Sequence, residues 1–356
     1  MKICFLGDAG SIHIQRWCEF FRDNGDTVYL LSFREGKIDG VEVINLGKDM
    51  EVNSSGGNVH YLKKVPYVKK VIREINPDVV NAHYLTSYGL LGALSGFKPL
   101  IVSTWGSDIL VTPYRNVVYK MLTKYVIKKC NLLTSDSKFM TRKIIELGGS
   151  EDKVITAPMG IEPQVFNSSG RNRKDKITSF LSMRTLCENS NIDVIIKAFY
   201  KLSNESNDIE LTIVNDGELR EELKNMIDEL NLNDKVKIFG AVSRERVVSL
   251  LKEKDIYVSI PTSDSTSVTL LEAMASGIFP VVSDLPANRE WIKDRYNGYI
   301  LKNISVDELY EAMKNTLNNL DLVNETVIIN NKIISERAIW QDNMGRVRDE
   351  YLNLLK

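Results

Sequence analysis

Residues 261–283 read PTSDSTSVTLLEAMASGIFPVVS. A hydroxyl-rich loop passes into a helical pattern at Val268, stops at Gly277 and is followed at once by the apolar run FPVVS. Loop, helix, glycine and short buried strand in that order are the second half of one βα unit and the start of the next. The backbone N–H groups near Ser267, Val268 and Thr269 would have no partner within the helix, and a helix start of this kind favours an anion such as phosphate. Ser265, Thr266 and Ser267 add hydroxyls. Asp264 lies in the loop and Glu272 inside the helix, where they can meet the two ends of a sugar nucleotide. An N-capped helix with a surface glutamate explains the same letters, and both readings stay open here.

Outward from this stretch the alternation repeats. After a polar boundary at QVFNSSGRNRKDKI (164–177), apolar runs ITSFLSM, IELTIVNDG, KVKIFGAV and DIYVSIP alternate with helical segments. The first half does the same with KICFLG, TVYLLSF, DVVNAHY, KPLIVSTWGSD and CNLLTSD. Repeated βα units predict parallel sheets covered by helices on both faces, hence two doubly wound α/β domains in tandem. Ligands in such sheets sit outside the carboxyl ends of the strands, and two facing domains can line a central cleft.

A length of 356 residues fits two domains. The four cysteines, Cys4, Cys18, Cys130 and Cys187, lack metal-ligand spacing and read as reduced thiols. With only three histidines, no metal site is expected. The start is too short and too soon charged for an export signal, and no long uncharged apolar run occurs. The expected compartment is therefore the cytoplasm. Residues 1–150 carry 20 Lys/Arg against 14 Asp/Glu, a balance of +6, and the remainder 26 against 33, a balance of −7. The cations concentrate in YLKKVPYVKKVIRE (Lys63, Lys64, Lys69, Lys70, Arg73) and PYRNVVYKMLTKYVIKKC (Arg115, Lys120, Lys124, Lys128, Lys129), and 109–135 contains no acid. Apolar residues interleave with these cations. That pattern fits either an ordinary solvated helix face or peripheral docking on an anionic membrane; no nucleic-acid motif accompanies it.

Four segments carry a family resemblance. Asp264 and Glu272 with AMASGIFPVV form D-x7-E, APMGIEPQVF stands near the middle of the chain, and IVNDGELREEL and KVKIFGAVSRERV lie between. In that arrangement they resemble family 4 of the retaining glycosyltransferases, which have the GT-B fold. The resemblance covers nearly the whole chain. It implies an N-terminal acceptor domain (1–165) and a C-terminal donor domain (175–337), with a last helix from about 338 to 356 crossing back onto the first. The implied reaction is transfer of a sugar from a nucleoside diphosphate sugar, a UDP-sugar first, to a glycan or polyprenyl-linked acceptor. No cofactor or metal is implied.

The resemblance also assigns residues. Glu272 would hold the donor ribose, and Asp264 would take the place of the family's first glutamate beside the donor sugar. Arg184 would grip the diphosphate, where its planar fork can neutralise departing charge. The lysine that usually follows is absent, and Asn189 and Ser190 stand there. Gly240 and Ala241, within Phe239–Ser243, fall where the base is selected. In the first domain Gly7 and Gly10 match the small-residue loop after the first strand. His13, His83 and Asp108 are candidates for the reacting centre, each with a plain capping or surface alternative. Trp105 stands where relatives carry a histidine. Two rivals share the architecture: a sugar-nucleotide 2-epimerase, and a non-catalytic partner that binds the donor without turning it over.

Overall fold

Parallel strands buried on both faces read as unbroken apolar runs, and that is how the runs above fold in the computed structural model, which describes residues 1–47, 60–171 and 175–356. Two units result, Met1–Pro158 with Asp342–Lys356, and Met159–Gln341. In the first, strands β1 (Lys2–Leu6), β2 (Thr27–Ser32), β3 (Glu42–Asn45), β4 (Val79–His83), β5 (Leu100–Ser103), β6 (Leu132–Ser135) and β7 (Val154–Thr156) form one parallel sheet in the order β3-β2-β1-β4-β5-β6-β7. In the second, β8 (Ser179–Ser182), β9 (Glu210–Ile213), β10 (Val236–Ile238), β11 (Ile256–Ser259), β12 (Phe279–Ser283) and β13 (Tyr299–Leu301) are ordered β10-β9-β8-β11-β12-β13.

Each order reverses once, between β1 and β4 and between β8 and β11. Crossovers on the two sides of such a point carry their helices to opposite faces of the sheet, so a crevice opens at the carboxyl ends of those two strands. The period of two along β1 and β4 sets which residues line it. Cys4, Leu6, Val80 and Ala82 belong to one core cluster. Phe5 and His83 face the other way, with Phe21 and Trp17 against them.

The boundary between the units differs from the expected one. Residues 172–174 of the presumed linker 164–177 lie outside the described residues, and the described part of it is not a free connection. Phe166 is buried in a core of the second unit, and the Arg171 guanidinium donates to the Leu251 and Lys254 carbonyls at 3.1 and 2.6 Å. The division falls instead after Pro158. Just beyond it Gly160 has φ +68, and a Cβ there would lie 2.6 Å from the Ala338 carbonyl oxygen. This close approach lets Ile161 N–H donate to Ala338 and Trp340 N–H donate to Ile161, at 2.8 and 2.9 Å. That pairing keeps 338–341 in the second unit, so the returning segment begins at Asp342 rather than near 338.

The returning segment, most of the helix Trp340–Asn353, is held by its buried Met344, Val347 and Tyr351, by a hydrogen bond from Asn343 to the Pro158 carbonyl, and by an ion pair. Arg348 grips Asp26 with Nε on Oδ2 at 2.7 Å and Nη2 on Oδ1 at 3.1 Å, and the Asp26 side chain is fully buried. The buried Tyr351 ring stacks on Phe21 at 5.4 Å. Asp26 Oδ1 also accepts from the Met1 α-ammonium at 2.7 Å, so removing Arg348 takes away one of two cations from a buried carboxylate without stranding it. Arg348→Ala should therefore destabilise the first unit by roughly 1–3 kcal/mol, below the cost of breaking a lone buried pair. Tryptophan-monitored urea unfolding against the parent checks this, and an unchanged midpoint would refute it.

Candidate functional site

Each reversal point gathers its own set of polar side chains. In the second unit, Arg184 follows β8, and the loop 260–267 follows β11. Arg184 Nη1 donates to Asp264 Oδ2 at 2.7 Å and to Ser267 Oγ at 3.3 Å. Both partners of the ion pair are only partly exposed, 18% and 24%. Burial works to lower the Arg184 pKa, and the Asp264 carboxylate, with Tyr257 behind it, more than reverses that and leaves it above its ordinary value. The other Asp264 oxygen accepts from Ser265 N–H at 3.0 Å. The shorter acid thus reaches the arginine directly.

The helix Val268–Ala275 begins at Ser267, whose hydroxyl caps it. Ser267 and Thr269 hydroxyls lie 3.0 Å apart, and Thr269 meets the Tyr257 hydroxyl at 2.6 Å. Glu272 is half-buried one turn further along. At the far end Gly277 adopts φ +75, the left-handed stop that its sequence position predicts.

Asn189, where the family's cation would stand, has taken a different task. Its amide exchanges hydrogen bonds with the loop: Nδ2 donates to the Ser263 carbonyl and Oδ1 accepts from Ser263 N–H, both at 3.0 Å. Its carbonyl accepts from Thr262 N–H at 2.9 Å. Asn191 adds bonds to Ile260 and Thr262. Hydrogen bonds then run on from the β8 loop to its neighbours. Leu186 N–H donates to Asp216, and Asn215 N–H donates to Gly240, at 3.0 and 2.8 Å. Gly217 is obligatory in this ribbon, since a Cβ there would stand 2.3 Å from the Leu186 carbonyl oxygen. Gly240 is buried at φ +75, and Ala241 beside it is exposed. Arg184, Asp264, Ser267 and Thr269 are thus in mutual contact or one side chain apart. Gly240 and Ala241 join them only through the loops.

In the first unit the reversal point opens into a cavity of about 340 Å³, lined by residues that include Asp8, His13, His83, Tyr84, Tyr88 and Trp105. Its wall is aromatic. The Trp105 ring lies 5.2 Å from His13 and 5.6 Å from His83, and Trp17 meets His83 edge-on at 4.8 Å. Both His83 ring nitrogens, His13 Nδ1 and Trp105 Nε1 are buried without a protein partner among the described residues. Burial, then the neighbouring His13, lowers the His83 pKa to about 3. Burial, then Arg16, lowers that of His13 to about 4. At neutral pH both are therefore uncharged.

Asp108 has the geometry of a loop brace. It is fully buried, and its two oxygens accept from Leu85 and Trp105 N–H groups, each at 2.9 Å. Burial pushes its pKa up to about 6 against those donors. It orients Trp105 and leaves the cavity to others. Gly10 is set outside the lining residues, against Arg34, whose side chain would lie 2.8 Å from a Cβ. Tyr84 and Tyr88 are cavity residues that the sequence reading passed over. Tyr84 sits at φ +70, a strained value for an aromatic residue. Its signal was its place directly after the β4 strand. Among the described residues no group of three or more His, Cys, Asp or Glu side chains gathers into a metal-binding set.

Comparison with known proteins bears on the fold and the family. The model of glycosyl transferase 4-like proteins matches residues 2–137, and that of glycosyl transferases group 1 matches 163–332. The chain belongs to this glycosyltransferase family, and its two parallel-sheet units are those of the GT-B fold. The amylovoran biosynthesis glycosyltransferase AmsK of Erwinia amylovora is 31% identical over 230 residues, 61% of this chain and 56% of that protein, so the chain spans little more than half of that relative. The Escherichia coli UDP-Gal:alpha-D-GlcNAc-diphosphoundecaprenol alpha-1,3-galactosyltransferase is 22% identical over 83% of this chain and 80% of its own length. Anabaena HepE in complex with UDP has the same fold, with a TM-score of 0.81 at 17% identity over 99% of this chain and 100% of that one.

The two histidines give a pH test. An unfolded histidine titrates near 6.5, whereas folded His13 and His83 stay neutral to about 4 and 3. As pH falls below about 6.5 the unfolded state gains protons that the folded state refuses, so stability is full above that pH and is lost progressively towards pH 4. His83→Phe keeps the ring and removes one of these protons. Its stability difference from the parent should grow in the variant's favour by up to roughly 1.4 kcal/mol per pH unit between pH 6 and 4. Parallel unfolding profiles across that range would contradict a neutral, buried His83.

Proposed function

We propose that the chain is a retaining, metal-independent glycosyltransferase that moves a sugar from a nucleoside diphosphate sugar, a UDP-sugar first, to a glycan or lipid-linked glycan acceptor. The observation that carries this reading is the Arg184–Asp264 pair at the start of the helix Val268–Ala275. A guanidinium, free helix N–H groups and hydroxyls together are an anion site. A diphosphate arriving there takes up Arg184, and Asp264 is released to meet the donor sugar. Glu272 accepts from the ribose hydroxyls. Departure of the diphosphate builds negative charge beside Arg184 and Ser267, where fixed donors stabilise it.

The acceptor is taken by the first unit's cavity, whose aromatic wall suits the apolar face of a sugar ring and whose unpartnered ring nitrogens suit its hydroxyls. No general base is required, because the departing phosphate takes the acceptor's proton on the same face. The UDP-linked donor of the Escherichia coli relative, its diphosphoundecaprenol acceptor, and the UDP and UDP-glucose complexes of HepE support the same choice of substrates.

One observation favours a second reading, in which the protein binds the donor without transferring its sugar. Asn189 is uncharged and committed to the loop, so Arg184 meets the leaving charge without a companion lysine.

Thermal stabilisation by UDP-, GDP-, ADP- and dTDP-sugars, with Glu272→Ala in parallel, tests the proposal. At a hundredfold excess over its dissociation constant a true donor adds roughly 2.7 kcal/mol. We expect this with the uridine series, and its loss in the variant. Binding without transfer to any glycan acceptor selects the second reading, and conversion of the sugar nucleotide with no acceptor selects an epimerase. Stabilisation by no nucleotide defeats the donor site altogether.

A further inference from the structure

The helix Val117–Lys129 shows apolar side chains where a helix on a protein surface normally shows polar ones. Its inner face buries Thr123, Val126 and Ile127. On the outer face Val117 is 72% exposed, Val118 65%, Met121 66% and Tyr125 37%, and Tyr114 in the preceding turn is 55% exposed. At about 100° per residue these helix positions fall within one sector of roughly 100°. Lys120 and Lys124 border that sector on one side and Lys129 on the other, with Lys128 at its C-terminal end. No acid occurs between 109 and 135 to neutralise them.

The other basic stretch is different. The helix Val65–Ile75 buries Val68, Val71 and Ile72, shows one large exposed apolar side chain, Tyr67, and pairs Lys70 with Glu74. That is an ordinary solvated face. The contrast singles out 114–129.

We infer that the outer face of 114–129 is a docking surface for an anionic lipid bilayer. Valine, methionine and tyrosine exposed side by side mark an interaction surface. Charge selects the occupant. A ring of lysines around an apolar sector matches a bilayer whose headgroups are anionic and whose acyl region begins a few ångströms below. The lysine stems lie along the apolar sector while the ammonium groups reach the phosphates. Docking is in the membrane plane, since no helix among the described residues is long and apolar enough to cross. The inference concerns binding alone and stands apart from the donor assignment.

Co-sedimentation of the full chain with vesicles of phosphatidylcholine, with and without roughly 30% phosphatidylglycerol, tests it. The chain should pellet with the anionic vesicles about tenfold more tightly than with the neutral ones, and less at high salt. The Val117→Asp/Met121→Glu double variant should lose about tenfold or more in binding. Ile328→Glu, at an apolar position 75% exposed on the helix Leu320–Arg337 of the second unit, should bind as the parent does. If the double variant melts early, Lys120→Ala/Lys124→Ala/Lys128→Ala replaces it, with a loss confined to anionic vesicles. Equal binding to both vesicle types, or to neither, overturns the inference. So does a vesicle-free dimer that the double variant dissolves, which would give the face to a second copy of the chain.

Discussion

Parallel strands can be joined only by crossovers, and those crossovers take one hand. Everything functional in this chain hangs on that constraint. Where strand order reverses, between β1 and β4 and between β8 and β11, the helices part to opposite faces and nothing covers the strand ends. Loops there are free to carry polar groups that a buried segment could not. Arg184 and Asp264 stand on the loops of the second reversal. His83, Tyr84 and Asp8 stand at the first.

The two places differ in electrostatic character. In the second unit a guanidinium is kept charged by a carboxylate at hydrogen-bond distance and by hydroxyls around it. Such a pair is poised, because an incoming anion competes for the guanidinium with a partner that is itself partly solvated. Asn189 holds the loop bearing that carboxylate, so loop position does not depend on ligand. The first unit's cavity wall carries one carboxylate, Asp8, 3.8 Å from Arg34, and no Lys or Arg among its lining residues. Its histidines are neutral through burial, and its surfaces are rings with unused N–H and N groups. One site suits phosphate, the other an uncharged polyol.

Much of this was legible in the letters. The runs KICFL, VVNAH and IYVS had the unbroken apolar character of parallel strands, and the helix after Ser267 announced its cap and its stop. The roles expected of Asp264, Arg184 and Glu272 came from the family resemblance, which assigns residues without distances. The role of Asn189 was not legible. Its departure from the family pattern was visible, but reciprocal hydrogen bonds to Ser263 depend on two loops 74 residues apart. The unit boundary was misplaced for a similar reason: a polar, glycine-containing run resembles a linker until Arg171 and Phe166 find their partners. Asp108 stood open between a site acid and a loop cap, and its burial with two backbone donors favours the cap.

The central claim is that the reversal point between β8 and β11 holds a nucleoside diphosphate. Hydrogen–deuterium exchange with and without UDP measures it most directly. The account predicts slowed exchange in 183–191 and 260–272, where Arg184, Asn189 and the helix start lie, with 80–110 unchanged. Protection confined to the first unit, or none at saturating UDP, would contradict it.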